Sequence, residues 1–276
     1  MKQILLMLGL CIWSGSYAQT SMQYVAAGDA KDSLKDYKGA MADYSRAIDL
    51  DTTNITAWLR RAVIRHVLLQ TSASQDDLAV AYRLTPRDAA TYVYRAQVKI
   101  RFSAFFGALG DYREALKLGL SKSDKYEVYT QMGDAEFQTG NDSAAAADFS
   151  LAVGLDSTKA RAYSMRAEVS MKQRNISAAI RDYSRAIQLD GHDPISYVHR
   201  GIAWMKISDT QAAMTDFNTA ILIDAKCKVA YFNRGVLRQD LGQKEDACAD
   251  FKMAWNLGFG RGKSMYEKYC ADQGKK

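Results

Sequence analysis

Seven aspartates fall at a near-fixed interval along the 276-residue chain: Asp43, Asp77, Asp111, Asp148, Asp182, Asp216 and Asp250, spaced by 34, 34, 37, 34, 34 and 34 residues. Carboxylates in number are the raw material of acid–base catalysis and of hard-cation sites. Either use needs several of them gathered in one cleft, whereas a regular interval spreads them out. Sixteen residues before five of these aspartates stands an arginine: Arg61, Arg95, Arg166, Arg200 and Arg234. Before Asp43 and Asp148 the same place holds Ala27 and Met132. The recurring pair therefore reads as structural. Each aspartate is expected to meet an arginine at a helix–helix junction, in a ladder that lacks an arginine at two rungs.

Other chemistry is sparse. The three histidines, His66, His192 and His199, have no metal-ligand spacing, and no two cysteines form a C-x-x-C. Neither a Walker-type loop nor a metalloprotease helix motif occurs, and no local signature marks a serine nucleophile. Gly258-Phe259-Gly260-Arg261-Gly262 has the look of a phosphate-cradling loop, but no strand pattern precedes it. It reads as a helix stop, since glycine tolerates the left-handed cap. Methionines such as Met165, Met171, Met205 and Met214 read as core or groove rather than as metal ligands. No catalytic, cofactor-binding or metal-binding residue is expected, and no cofactor.

The elements carrying the aspartates repeat with them. Asp43-Tyr44-Ser45-Arg46-Ala47-Ile48 recurs verbatim at 182–187. Counting repeats from residues 21, 55, 89, 126, 160, 194 and 228, the eighth position is Gly28, Ala62, Ala96, Gly133, Ala167, Gly201 and Gly235. The twenty-fourth is Tyr44, Leu78, Tyr112, Phe149, Tyr183, Phe217 and Phe251, and the twenty-seventh is alanine in every copy. The fourth is aromatic throughout, from Tyr24 and Trp58 to Tyr231. Two antiparallel helices approach closely only where the facing side chains are small, and a bulky neighbour fills the volume beside them. Positions 20, 24 and 27 share one helix face. A single pair cannot bury that face, but stacked pairs can.

Period and pattern together resemble the tetratricopeptide repeat family over residues 21–261. The resemblance implies an all-α fold, a right-handed α-solenoid of helix–turn–helix units. Seven repeats are expected at about 21–54, 55–88, 89–122, 126–159, 160–193, 194–227 and 228–261, within a region 19–262. A C-terminal capping helix and tail, 263–276, should cover the last apolar face. The surplus of three residues around Ser121–Lys125 should lengthen one loop.

Residues 1–18 read as a signal peptide. Lys2 gives a positive start, Ile4 to Trp13 an apolar stretch, and Ser16-Tyr17-Ala18 the small residues of a cleavage site after Ala18. A lipid-modified Cys11 is the weaker alternative, because Leu10 precedes it where a small residue is expected. The expected location is exported: periplasmic, outer-membrane-associated or secreted. Export permits disulfides. Cys248, on the second helix of the last repeat, and Cys270, on the capping helix, could form one, or both could be buried thiols. Cys227 would then be free. No later stretch is apolar enough to be a transmembrane segment.

The net charge of +6 is interspersed rather than striped, which argues against nucleic-acid binding. In the family that the chain resembles, the second, fifth, ninth, twelfth and thirteenth positions of the first helices line a concave surface. Here they include Ile195, Val198, Ile202 and Met205, then Val229, Phe232 and Val236, an apolar groove. Beside it stand Glu127, Thr130 and Asp134, then Arg161, Ser164 and Glu168. Val25, Leu59 and Val93 at the fifth position, with Asp29, Val63 and Gln97 at the ninth, do not make a carboxylate clamp. The reading is a non-enzymatic scaffold that binds a peptide or helix of a cell-envelope protein. The alternatives are a self-associating component of an outer-membrane or secretion assembly and, remotely, a glycan-acting enzyme. The same groove residues could instead pack against neighbouring repeats or a second copy.

Overall fold

The structure is a computed structural model that describes residues 20–270. The proposed signal peptide and its cleavage site, and the tail after Cys270, lie outside the described residues. Every element among the described residues is an α-helix. The chain divides into two compact units, up to Val98 and from Lys99.

The first unit holds α1 (Ser21–Ser33), α2 (Tyr37–Leu50), α3 (Ile55–Val67), α4 (Thr71–Arg83) and most of α5 (Ala89–Arg101). The second holds the end of α5, then α6 (Phe105–Leu118), α7 (Lys122–Gln138), α8 (Asp142–Leu155), α9 (Ala160–Lys172), α10 (Ile176–Leu189), α11 (Pro194–Lys206), α12 (Thr210–Ile223), α13 (Lys228–Asp240), α14 (Lys244–Asn256) and α15 (Gly260–Cys270). Successive helices pack on one another from α1 to α4 in the first unit and from α6 to α15 in the second.

Close approach inside the pairs is achieved where the sequence pattern requires it. A Cβ on Gly28 would lie 2.5 Å from the Tyr44 ring, and one on Gly133, Gly201 or Gly235 would lie 2.6–2.8 Å from Phe149, Phe217 or Phe251. These rings are fully buried, as are the alanines at the twenty-seventh position of α2, α4, α6, α8, α10, α12 and α14. Local chemistry sets the helix starts. Thr20, Asp36, Asn54, Ser121, Asn175, Asp193 and Asp209 each accept a backbone N–H of the first turn. Pro194 sits where its missing N–H is not needed.

The turn inside each pair has one left-handed residue: Lys35, Leu69, Ser103, Arg174 and Ser208, with Gly140 and Gly242 at the equivalent place. Their φ values of about +60° to +82° strain a residue with a side chain and suit glycine.

Two expectations need correction. The surplus before repeat four does not lengthen a loop; it extends α7 to 17 residues, because Ser121 caps the Asp124 N–H at 3.1 Å and starts the helix early. The glycine stretch is only partly a stop. Gly258, at φ +81°, ends α14, but Gly260 opens α15 and Gly262 is buried against Ala254.

Candidate partner-binding face

The aspartate register is occupied by structure, and its geometry is consistent. In the first unit the Arg61 guanidinium grips Asp77 through two bonds, of 3.0 and 2.8 Å. In the second, Arg166 grips Asp182, Arg200 grips Asp216 and Arg234 grips Asp250, in the same fork, at 2.7–3.0 Å. The remaining Nη1 of each arginine reaches back to the preceding pair: to Ser45, Ser150, Ser184 and Asn218 at 2.7–3.2 Å. Trp58, Tyr163, Tyr197 and Tyr231, at the fourth position, lie under the same guanidiniums. A bidentate pair that also bridges to the next helix pair fixes the geometry of stacking as well as its strength.

A second cation, four residues further along the first helix, adds to two of these carboxylates, Asp77 and Asp250, and the same place supplies a lysine to Asp111 and to Asp43. Arg65 reaches Asp77 at 2.8 Å, Lys99 reaches Asp111 and Arg238 reaches Asp250, both at 2.7 Å, and Lys31 reaches Asp43 at 2.6 Å. The pair α7–α8 is different. There both places are non-cationic, Met132 and Glu136. Glu136 is 5 % exposed and takes its partners from elsewhere, Arg113 at 3.2 Å and the Asn141 amide at 2.9 Å. Burial, with the Glu136 carboxylate nearby, pushes Asp148 up to about 6, against the opposing pull of Arg113.

The first helices of the second unit form one connected face. Lys159 binds Glu127 at 2.9 Å and Arg161 binds Asp134 at 2.8 Å, tying the α8–α9 turn and α9 to α7. His199 Nδ1 lies 3.6 Å from Glu168, and the Ser164 and Ser196 hydroxyls lie 3.4 Å apart, tying α11 to α9. Helices α11 and α13 are also in contact. Burial holds the Asp134 carboxyl above its usual range against the pull of Arg161, and its Oδ1 is buried without a hydrogen bond. The Tyr183 hydroxyl is raised by burial and by Glu168, and its ring meets His199 at 5.7 Å.

Sequence reasoning overlooked the sixth position of the first helices. Gln131, which accepts from the Tyr112 hydroxyl, His199 and Asn233 stand there and belong to this face. The signal was their polarity directly after a buried fifth position, held by Thr130, Val198 and Phe232.

The apolar groove residues fall into two groups. Ile195 is 41 % exposed, and Ile202, Met205, Val229 and Val236 are half-buried. Val198 and Phe232 are not surface residues. Val198 has no exposure and packs with Phe217, Ala230 and Leu237; Phe232 is 6 % exposed, under Phe259 at 5.1 Å and the Arg261 guanidinium at 4.8 Å. Both hold the fifth position, which turns toward the next pair. Val25, Leu59 and Thr130 are buried there too.

Cys248 and Cys270 are joined in the structure, Cα to Cα 5.7 Å, and Cys227 is a buried free thiol. Among the described residues no group of three or more histidine, cysteine or acidic side chains could hold a metal ion. Among them too, no helix is long and apolar enough to cross a membrane.

The family model of the tetratricopeptide repeat matches residues 24–54 and 160–193, one stretch in each unit. The helix pairs and their small-to-aromatic contacts agree with that match. The fold is that of tetratricopeptide-repeat proteins. A search of curated proteins finds no match. Solved structures share the fold. A tetratricopeptide repeat protein from Parabacteroides merdae is 18 % identical, covers 90 % of this chain and 97 % of its own, and has a TM-score of 0.64. MamA is 23 % identical over 61 % of this chain and 96 % of its own, with a TM-score of 0.55. A chain of the anaphase-promoting-complex hetero-tetramer Cut9–Hcn1 is 12 % identical over 91 % of this chain and 48 % of its own, with a TM-score of 0.60.

Proposed function

We propose that this chain is an exported tetratricopeptide-repeat scaffold whose α7–α9–α11–α13 face holds a peptide or helical segment of a cell-envelope protein. One observation carries the reading. Ile195, Ile202, Met205, Val229 and Val236 stay partly open on α11 and α13, beside the polar row of Asp134, Arg161, Glu168 and His199. Apolar side chains next to a few placed polar groups are the usual composition of a peptide-binding face. The Cut9 structure is itself that of a hetero-tetramer with Hcn1. The targeting pattern of residues 1–18 and the Cys248–Cys270 bond both suit an oxidising, extracytoplasmic compartment.

The test uses Ile195 and Ile202, because Phe232 is a core residue. The double variant Ile195→Asp/Ile202→Asp should lose the partner that site-specific crosslinking from Val229 captures in intact cells. Its helical circular dichroism should match the wild type. Unchanged capture would overturn the proposed face. Recovery of the wild-type chain uncleaved and in the cytoplasm would overturn export.

A further inference from the structure

The outer side of α15 has no part in the face just described. Its inner side is pinned to α14. A Cβ on Gly262 would lie 2.8 Å from the Ala254 Cβ and 3.1 Å from the Phe251 carbonyl, and Cys270 is bonded to Cys248. With that side fixed, the helix and the end of α14 present an aromatic cluster outward. Trp255 is 38 % exposed and Tyr269 41 %, and the Trp255 and Tyr266 rings pack at 5.8 Å. Each exposed ring has a lysine beside it. The Lys263 ammonium lies 5.8 Å from the Trp255 ring centre, and that of Lys268 lies 4.8 Å from Tyr269. Lys252 is exposed one helical turn before Trp255. The one acidic side chain of α15, Glu267, is held by Lys263 at 3.7 Å.

The chemistry of this cluster is one-sided. Its rings have apolar bodies and polar tips, and those tips, an indole N–H and two phenol hydroxyls, can all donate hydrogen bonds. The ammoniums donate as well and sit on flexible stems. The matching surface is rich in acceptors, negatively charged and continuous. We infer that the α14–α15 face rests on an anionic phospholipid surface, with Trp255, Tyr266 and Tyr269 in the headgroup layer and Lys252, Lys263 and Lys268 on the phosphates. Interfacial enrichment of Trp and Tyr and the attraction of lysines to acidic lipids are the physical grounds. With no helix able to cross the bilayer among the described residues, the contact is peripheral. This inference is independent of the peptide-binding proposal.

The experiment is vesicle co-sedimentation of the purified protein. One set of vesicles is phosphatidylcholine alone and the other also contains phosphatidylglycerol. The protein should sediment with the second set only, and added salt should release it. Lys263→Gln/Lys268→Gln should lower the partition coefficient about thirtyfold, with circular dichroism unchanged. Trp255→Ala should weaken binding while leaving its salt dependence intact. Failure of the wild type to bind, equal binding to both vesicles, or full binding by the folded double-lysine variant would each overturn the inference.

Discussion

Asp250 and Asp148 hold the same place in their helix pairs, on α14 and α8, and their surroundings are opposite. Asp250 receives a fork from Arg234 and a third bond, 2.7 Å long, from Arg238. Asp148 finds Met132 and Glu136 on the facing helix, and its carboxyl is raised to about 6. One carboxylate clamps its joint; the other opposes ionisation of its own. The difference shows that the aspartate is not stabilising by itself. Its effect is set by two positions on the partner helix, since a buried charge is costly until it is paired. The α7–α8 pair is also where α7 runs four residues longer than the other first helices, at 17 against 13. The exceptional pair is thus marked twice, in charge and in length.

The strongest test of this contrast makes the good joint resemble the poor one. Arg234→Met leaves Asp250, which is 3 % exposed, with one cation instead of two, and removes the bond to Asn218. It should lower unfolding stability by about 3 kcal/mol in urea titrations. A loss no larger than that of an exposed surface substitution would break the comparison. The reverse change is expected to be smaller. Met132→Arg should supply the missing fork to Asp148, raise stability by about 2 kcal/mol and return the carboxyl toward the usual range, read by NMR titration. No shift in the Asp148 titration would show that the local backbone, not the missing arginine, sets it.

The smallest effect is that of Asp148→Asn, and it depends on pH. A carboxyl whose folded value lies near 6, above the usual 3.8, gives its full stabilising contribution below about pH 4. That contribution is lost as the pH rises through 6. The asparagine variant does not titrate there, so its advantage should be absent at pH 4 and complete at pH 7. The shift of about two units corresponds to roughly 3 kcal/mol at most, and partial solvent access reduces the expected gain to about 1 kcal/mol. A constant difference between the two proteins from pH 4 to 7 would mean that Asp148 is ionised throughout.

Much of the fold was legible because its rules are short-ranged. Gly28, Gly133, Gly201 and Gly235 announce the ring that fills the space beside them, and that ring stands sixteen residues later in the same repeat. The Arg–Asp forks obey the same interval. The candidate face was read less well. Val198 and Phe232 look like groove residues on a single helix, but whether a fifth-position side chain is exposed depends on what packs over it. For Phe232 the cover is Phe259 and Arg261, which hold none of the recurring positions of the repeat. The roles of Gln131 and His199 depend likewise on Tyr112 and Glu168 of preceding pairs.

The amino-acid order alone determined the period and the pairing of small residues with rings, because each of these is settled within one repeat or between adjacent ones. Tertiary packing decided which side chains on the first helices remain open, which aspartate went without a cation, and how α15 turns its aromatic side outward. Exposure and desolvation belong to the assembled surface, where each group is judged by everything laid against it.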